Sequence, residues 1–192
     1  MEYTSTDGKY NPHIGNISPH VGNINANSKV LEIGTGSGAL TLFLASILGT
    51  NSKFYSLDIS KKNQYRAKKT ISRYLSNYSS DFINDIEFIN TDLSDFRIDT
   101  VPFNFDTVIT DVPEPWIFFE NNNIDNNLYW VSYLPSISQV SKLADALQEN
   151  CFKDIEIKET IEREWTVRGN ISRPKHTMVG HTGFTVSGRY IL

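Results

Sequence analysis

The stretch Val30-Leu31-Glu32-Ile33-Gly34-Thr35-Gly36-Ser37-Gly38-Ala39 constrains this chain more than any other. A short apolar strand enters a loop with glycine at every second position. Nearly continuous apolar residues from Ala39 to Leu48 then read as a helix packed on a sheet. Strand, glycine turn and helix, in that order, open a parallel α/β sheet. Glycine has no Cβ and tolerates positive φ, so such a loop lets a ligand approach the backbone closely. The identity of the ligand is open at this point. Gly34-Thr35-Gly36-Ser37-Gly38-Ala39 also satisfies the dinucleotide pattern with alanine in the last place. The lysine of a phosphate-binding P-loop is missing, which argues against NTP hydrolysis.

The alternation continues along the chain. Lys53–Leu57 reads as a second strand ending at Asp58, and Ser60 can cap a helix running to about Asn77. Tyr65, Ile71 and Leu75 would face inward and the lysines outward. Ile86–Ile89 reads as a third strand ending near Asp92, and Phe105–Thr110 as a fourth ending at Asp111. An Asn-rich loop (121–127), a fifth strand (128–134) and an amphipathic helix (137–150) follow. Two further strands are expected, around 155–167 and 184–191. The pattern predicts a mostly parallel seven-stranded sheet with helices on both faces. It forms one domain over 29–192, after an irregular arm over 1–28.

Composition narrows the class. With 39% hydrophobic and 21% charged residues among 192, the chain suits a single soluble domain. No apolar run approaches the ~20 residues of a membrane span. Met1–Tyr10 is polar and lacks a signal-peptide core. The lone Cys151 excludes an intramolecular disulfide and a cysteine-built metal site, and is expected as a buried thiol in an intracellular, cytoplasmic protein. No His, Cys and acid cluster calls for a metal. A net charge of -4 means that any nucleic-acid contact must come from a local basic patch.

In a parallel α/β sheet, ligands sit beyond the carboxyl ends of the strands, and here those ends carry Gly34, Asp58, Asp92 and Asp111. Asp58 stands where a carboxylate accepts from ribose hydroxyls, although a helix N-terminal acid would look the same. Asp92 suits an adenine amino group, or caps the turn after its strand. Glu32 separates the cofactors: beside a pyrophosphate it would repel, whereas beside S-adenosylmethionine it meets a cationic amino group and sulfonium. Asp111-Val112-Pro113-Glu114-Pro115-Trp116 adds two prolines that fix the backbone as an extended turn. A carboxylate held there beside the Trp116 ring is what an amino-bearing aromatic base needs. A proline-rich turn with a core tryptophan is the plainer alternative.

At these residues the chain resembles the tRNA (adenine-N1)-methyltransferase family. The glycine loop through Thr41, the Asp111–Trp116 segment, and Arg173-Pro174 with Gly180-His181-Thr182-Gly183-Phe184 carry the resemblance, which runs from about Val30 to Leu192. It implies a Rossmann-like class I methyltransferase fold and S-adenosylmethionine bound at Gly34, Gly36, Gly38, Asp58 and Asp92. It also implies a catalytic carboxylate at Asp111, and Arg173 and His181 toward the RNA or cofactor. A structural histidine in a tight turn would explain His181 equally well. The substrate implied is a T-loop adenine of tRNA, and members of the family usually work as homo-oligomers, dimers or tetramers.

The chain also departs from the family. An N-terminal β-rich domain is usual in the family, yet only 29 residues precede the first strand here. The nearest match to a Tyr-Pro-Lys-Asp segment is Tyr10-Asn11-Pro12-His13, and Asp58 stands where Glu is common. Two basic groups are candidate RNA contacts. Lys61, Lys62, Arg66, Lys68, Lys69 and Arg73 read more readily as the solvated face of a helix. Arg163, Arg168, Arg173, Lys175 and His176 are the preferred patch. The competing readings are a methyltransferase for a small molecule such as a corrin precursor, a non-catalytic RNA-binding subunit, and a nicotinamide oxidoreductase.

Overall fold

The computed structural model describes residues 24–75 and 86–192. Tyr10–His13, nearly all of the expected arm, and the expected end of the second helix beyond Leu75 lie outside the described residues.

The order of elements is β1 (Lys29–Ile33), α1 (Ala39–Ile47), β2 (Lys53–Leu57), α2 (Lys61–Leu75), β3 (Ile86–Ile89) and β4 (Thr107–Thr110). A short α3 (Phe118–Asn121), β5 (Leu128–Leu134), α4 (Ile137–Glu149), β6 (Lys153–Glu159), β7 (Trp165–Arg168), β8 (Ile171–Pro174) and β9 (Phe184–Tyr190) complete it. Seven strands form one sheet in the order β3-β2-β1-β4-β5-β9-β6. The first five are parallel to one another, and β9 runs antiparallel to both β5 and β6. The expected seven-stranded, mostly parallel sheet is present. The chain reverses direction across the sheet after β3, at the β1–β4 boundary, where open α/β sheets form a crevice.

Alternate residues of the central strands feed two cores. Val30, Ile109, Val131 and Tyr133 pack with Leu40 and Leu44 of α1 on one face. Leu31, Ile33, Val108 and Trp130 pack with Val140, Leu143 and Leu147 of α4 on the other. Burial on both faces is why these strands read as continuous apolar runs rather than alternating ones.

Four expectations need correction. Tyr65 does not face inward. The buried stripe of α2 is Gln64, Ala67 and Ile71, and Tyr65 lies off that stripe with the Lys69 ammonium 4.6 Å from its ring. Cys151 is exposed rather than buried. It occupies the left-handed position after α4 (φ 64°), where its N–H bonds the Gln148 carbonyl. Phe152 N–H reaches back to Leu147, completing a Schellman turn that sends the phenyl ring inward and the thiol outward. The strand expected over 155–167 is two strands: β6 ends at Glu159, and β7 pairs with β8 in a separate hairpin. The two-residue Gly169-Asn170 turn was the missed signal, since Gly-Asn between β-prone residues marks a tight hairpin. Finally, β4 begins at Thr107 rather than Phe105, though Asp106 N–H already bonds Lys29.

Candidate active site

The carboxyl ends of β1, β2, β3 and β4 are stitched together one residue past each strand. Gly34 N–H donates to Leu57 O (2.8 Å), Asp58 N–H to Ile89 O (3.1 Å) and Asp111 N–H to Ile33 O (2.9 Å). The ladder therefore fixes the backbones of three candidate ligand residues. The Gln64 amide adds bonds to Ile89 O (2.7 Å) and Ser56 O (3.3 Å), and Asn90 donates to Asp58 O (2.8 Å). Beyond this edge opens a pocket of about 310 Å³, lined among others by Gly34, Gly36, Asp58, Asn63, Asp92, Asp111, Val112, Glu114 and Ile117.

The three glycines do three different jobs. Gly34 (φ 102°) lies against β4, where a Cβ would stand 2.5 Å from the Asp111 carbonyl oxygen and 2.9 Å from Val112 Cγ1. A Cβ on Gly38 would stand 2.6 Å from Ala67 Cβ, so this glycine lets α1 and α2 approach and does not line the pocket. Gly36 (φ 51°) has open space where a Cβ would go, and it does line the pocket. Of the three, Gly36 is the one shaped for a ligand.

The Asp58 carboxylate braces this loop. Its Oδ2 accepts from Gly36 N–H (2.8 Å) and its Oδ1 from Ser60 N–H (2.7 Å) at the start of α2. Asp92 Oδ1 accepts from the Ser94 N–H (2.9 Å) and hydroxyl (2.8 Å), and these bonds hold its carboxyl below the usual carboxylate range. Asp111 is exposed to the pocket. Gln139 of α4 grips the following loop by donating to the Pro113 carbonyl (2.9 Å).

Glu32 is not in the pocket. It is fully buried behind the loop, with Oε2 accepting from the Thr41 (2.7 Å) and Ser56 (2.5 Å) hydroxyls and Oε1 without a hydrogen-bond partner. Thr35, in the glycine loop itself, shares a hydrogen bond with Ser56 (2.6 Å). Burial pushes the Glu32 carboxyl up to about 8; the Ser56 and Thr41 hydroxyls oppose that rise, and the Asp111 and Asp58 charges add to it. This hydroxyl chain was not foreseen from the sequence. Its signal was Thr41 and Ser56, two polar residues interrupting apolar runs in α1 and β2.

The expected pairing of Asp111 with the Trp116 ring is not formed. Pro115–Ile117 is one turn of 3₁₀ helix rather than extended backbone, and it carries Trp116 away from the pocket. The indole lies against α4, with the Lys142 ammonium 5.2 Å from its ring. Val112 and Ile117 supply the apolar wall instead. His181 is also engaged elsewhere. Its Nδ1 meets Glu159 Oε1 (2.6 Å) and its Nε2 the Pro135 carbonyl (2.9 Å), and these partners raise its pKa, the Glu159 hydrogen bond most. Arg173 is exposed on β8, opposite Thr166 in the hairpin.

Comparison with known proteins places this geometry. The profile of a family described as "tRNA methyltransferase complex GCD14 subunit" matches residues 5–175. The chain is similar to the tRNA (adenine(57)-N(1)/adenine(58)-N(1))-methyltransferase TrmI of Methanocaldococcus jannaschii, at 32% identity over 83% of this chain and 64% of the relative. It is 31% identical to the tRNA (adenine(58)-N(1))-methyltransferase TrmI of Thermus thermophilus, over 84% of this chain and 61% of that one. The chain thus spans less than two thirds of the length of these relatives. Its fold is that of S-adenosylmethionine-dependent methyltransferases. An O-methyltransferase of Thermotoga maritima superposes with a TM-score of 0.79 at 21% identity, covering 95% of this chain and 66% of that one. The tRNA (m1A58) methyltransferase TrmI of Aquifex aeolicus gives a TM-score of 0.75 at 27% identity, covering 97% and 71%. With a profile match over most of its residues on a methyltransferase sheet, the chain belongs to the family of tRNA methyltransferase complex GCD14 subunits.

Proposed function

We propose that this chain transfers the methyl group of S-adenosylmethionine to N1 of an adenine in tRNA, in the T-loop. The observation that carries the cofactor is the charge of the pocket. Asp58, Asp92, Asp111 and Glu114 all line it, and none of its described lining residues is Lys, Arg or His. Such a wall repels a pyrophosphate and attracts a ligand with a sulfonium and an ammonium group. A volume of about 310 Å³ falls within the small-molecule range of ~300–1,000 Å³. Gly36 leaves room for close approach to the backbone. Each Asp58 oxygen accepts one backbone N–H and keeps capacity for ribose hydroxyls. Asp92 has the same spare capacity for the adenine amino group. Glu32 acts from behind the loop, without contact.

Bound S-adenosylmethionine supplies an electrophilic methyl group. Adenine N1 has a free lone pair at neutral pH, so no base is needed to unmask it. Transfer would join N1 to the methyl carbon as the carbon–sulfur bond breaks, leaving positive charge on the base. Asp111, held by its N–H to Ile33, would accept from the exocyclic amine, oppose that charge and take the proton the methylated base sheds. The base must first leave its stack, at a cost of a few kcal/mol. Relatives named for the same reaction, at about 31% identity, support the tRNA assignment. Methyl transfer from labelled cofactor to bulk tRNA, followed by nucleoside analysis, tests it. Label in N1-methyladenosine is expected; intact cofactor binding with unlabelled tRNA would sink the substrate, and preference for NAD in calorimetry would sink the cofactor.

We assign residues 29–192 as the methyltransferase domain and the cytoplasm as the compartment, where tRNA substrate is met. The working form is a homo-oligomer. Strand alternation puts Trp165, Val167 and Pro174 on one face of the β7–β8 hairpin, and Trp165 and Val167 are 59% and 71% exposed. A second copy would cover them. The opposite face, with Arg168 and Arg173, is left toward RNA. Sedimentation of Val167→Asp should show smaller particles than wild type; unchanged particles would remove the hairpin from the interface.

A further inference from the structure

One third of the chain's 18 Lys and Arg residues stand in the single helix α2, which contains no Asp or Glu. Lys61, Lys62, Arg66, Lys68, Lys69 and Arg73 are all exposed. At 100° per residue, four of them fall into one line: Lys62, Arg66, Lys69 and Arg73 recur at i, i+4, i+7 and i+11. This line lies opposite the buried stripe of Gln64, Ala67 and Ile71. It presents one cation per turn over roughly 16 Å. Among the described residues, no carboxylate lies within ion-pair distance of Lys62, Arg66 or Lys69. The solvated face of a helix in an acidic protein ordinarily mixes both signs. Here a single-sign ridge crosses a chain with a net charge of -4.

The place of the ridge gives it a direction. The turn before α2 and its first turn both reach the pocket: Asp58 and Ile59, just before the helix, and Asn63 within it line the pocket, and Lys62 is next to Asn63 in sequence. Tyr65, 59% exposed, flanks the cationic line and carries Lys69 over its ring. We infer that the outward line of α2 holds the phosphate backbone of the RNA substrate and leads it to the pocket mouth. The inference deepens the tRNA reading above and rests on it. It moves the main RNA-facing surface from the C-terminal basic group to α2. In that group Lys175 is paired with Glu164, and Arg168 and Arg173 ride on the hairpin.

The test compares wild type with the triple variant Lys62→Ala, Arg66→Ala, Lys69→Ala, and with Arg168→Ala, Arg173→Ala, Lys175→Ala, all as full chains. Alanine on an exposed helix face preserves the fold, and calorimetry with S-adenosylmethionine checks that the pocket is intact. Binding of tRNA is then titrated across salt concentrations. Each lost phosphate contact should lower the slope of log K against log salt by ~0.7–0.9. The α2 variant should therefore lose about two to three units of slope and bind tRNA at least ~10-fold more weakly near physiological salt. The C-terminal variant should lose less on both measures. An α2 variant with wild-type slope and affinity overturns the inference, as does a wild type without salt-dependent RNA binding. A wild type that binds tRNA through this helix yet transfers no methyl group would leave the inference standing and remove the proposed reaction.

Discussion

The pocket edge of the sheet and the C-terminal hairpin are built by opposite rules. At the pocket edge, backbone bonds between strand ends fix Gly34, Asp58 and Asp111, and a buried hydroxyl chain on Glu32 supports the loop from behind. In the hairpin, every residue of β7 and β8 except Thr166 and Pro174 is exposed, and the backbone bonds of its ladder are its own. One region is specified from within the fold and the other presents side chains outward. Mutations should respect the difference: substitutions at the edge should disturb folding or cofactor binding, and substitutions in the hairpin should disturb association.

The largest effect should come from Gly34. A methyl group there meets the Asp111 carbonyl at 2.5 Å, on a backbone at φ 102° that L-residues rarely adopt. We predict that Gly34→Ala costs roughly 3–5 kcal/mol of stability in denaturant unfolding. Gly36→Ala, two residues on, points into open space and should cost only ~1–2 kcal/mol, from its left-handed backbone. It should still weaken cofactor binding, because the methyl group enters the pocket. Equal stability losses in the two variants would show that the loop acts as one structural unit and that Gly36 is not specially placed for a ligand.

Next in size is Asp111→Ala. It should still bind the cofactor, through Asp58, Asp92 and Glu114, though more weakly than wild type, and lose a factor of ~10²–10³ in methyl transfer at saturating cofactor, the usual value of a positioned charge interaction. Turnover within a few-fold of wild type would return Asp111 to a purely architectural role.

Legibility in the sequence followed the same division. The glycine loop, the strand-end acids and the sheet were readable because a left-handed turn or a close approach admits few residue types, and those types were present. Reading Glu32 as a cofactor contact failed because spacing shows which element a residue belongs to, not which way it points. In a strand buried on both faces, position 32 turns toward α1. Trp116 misled for a related reason. Pro115 can begin a 3₁₀ turn as well as extend a chain, and the choice is made by α4, which Gln139 and Lys142 bring against the loop. The cationic line on α2 was visible as composition, but its register against the pocket needed Asn63 and Ile59 in place.

Glu32 offers a test of intermediate size. Its carboxyl is raised from 4.5 to about 8 in the fold by burial. An acid with a raised folded pKa is protonated more readily in the native state, so it imposes no penalty below about 4.5 and a growing one as pH rises toward about 8. The slope is ~1.4 kcal/mol per pH unit inside that window. We predict that Glu32→Gln, which keeps the shape and the Thr41 and Ser56 bonds, gains stability over wild type as pH rises from 5 to 8. A cation arriving in the pocket should favour the carboxylate, so cofactor binding near neutral pH should release protons. Calorimetry in buffers of differing ionisation enthalpy would read that release. A stability difference independent of pH would mean that Glu32 remains charged in the core.

The smallest effect belongs to His181, which stands where the two regions meet. Its ring joins Glu159, the last residue of β6, to Pro135, just past β5, and leans on Phe184 with ring centres 5.1 Å apart. The neighbouring turn is held independently, since the Tyr133 hydroxyl donates to the Thr182 carbonyl (2.5 Å). A Cβ on Gly183 would strike the Tyr133 ring at 2.5 Å. The imidazole is therefore one of two anchors. With both ring nitrogens donating it is an imidazolium, and its raised pKa favours the folded contact fully below 6.5. That contribution fades as pH rises through the raised value. Hydrogen exchange over residues 176–183 should accordingly quicken between pH 6 and 8, after correction for intrinsic rates, while β1 and β4 stay protected. Glu159→Gln should flatten the dependence, and His181→Asn should leave methyl transfer within a few-fold of wild type. Loss of transfer in His181→Asn with an unchanged exchange pattern would mean that the ring serves the substrate directly, as the family resemblance implied, and that the hairpin side of the molecule reaches the chemistry after all.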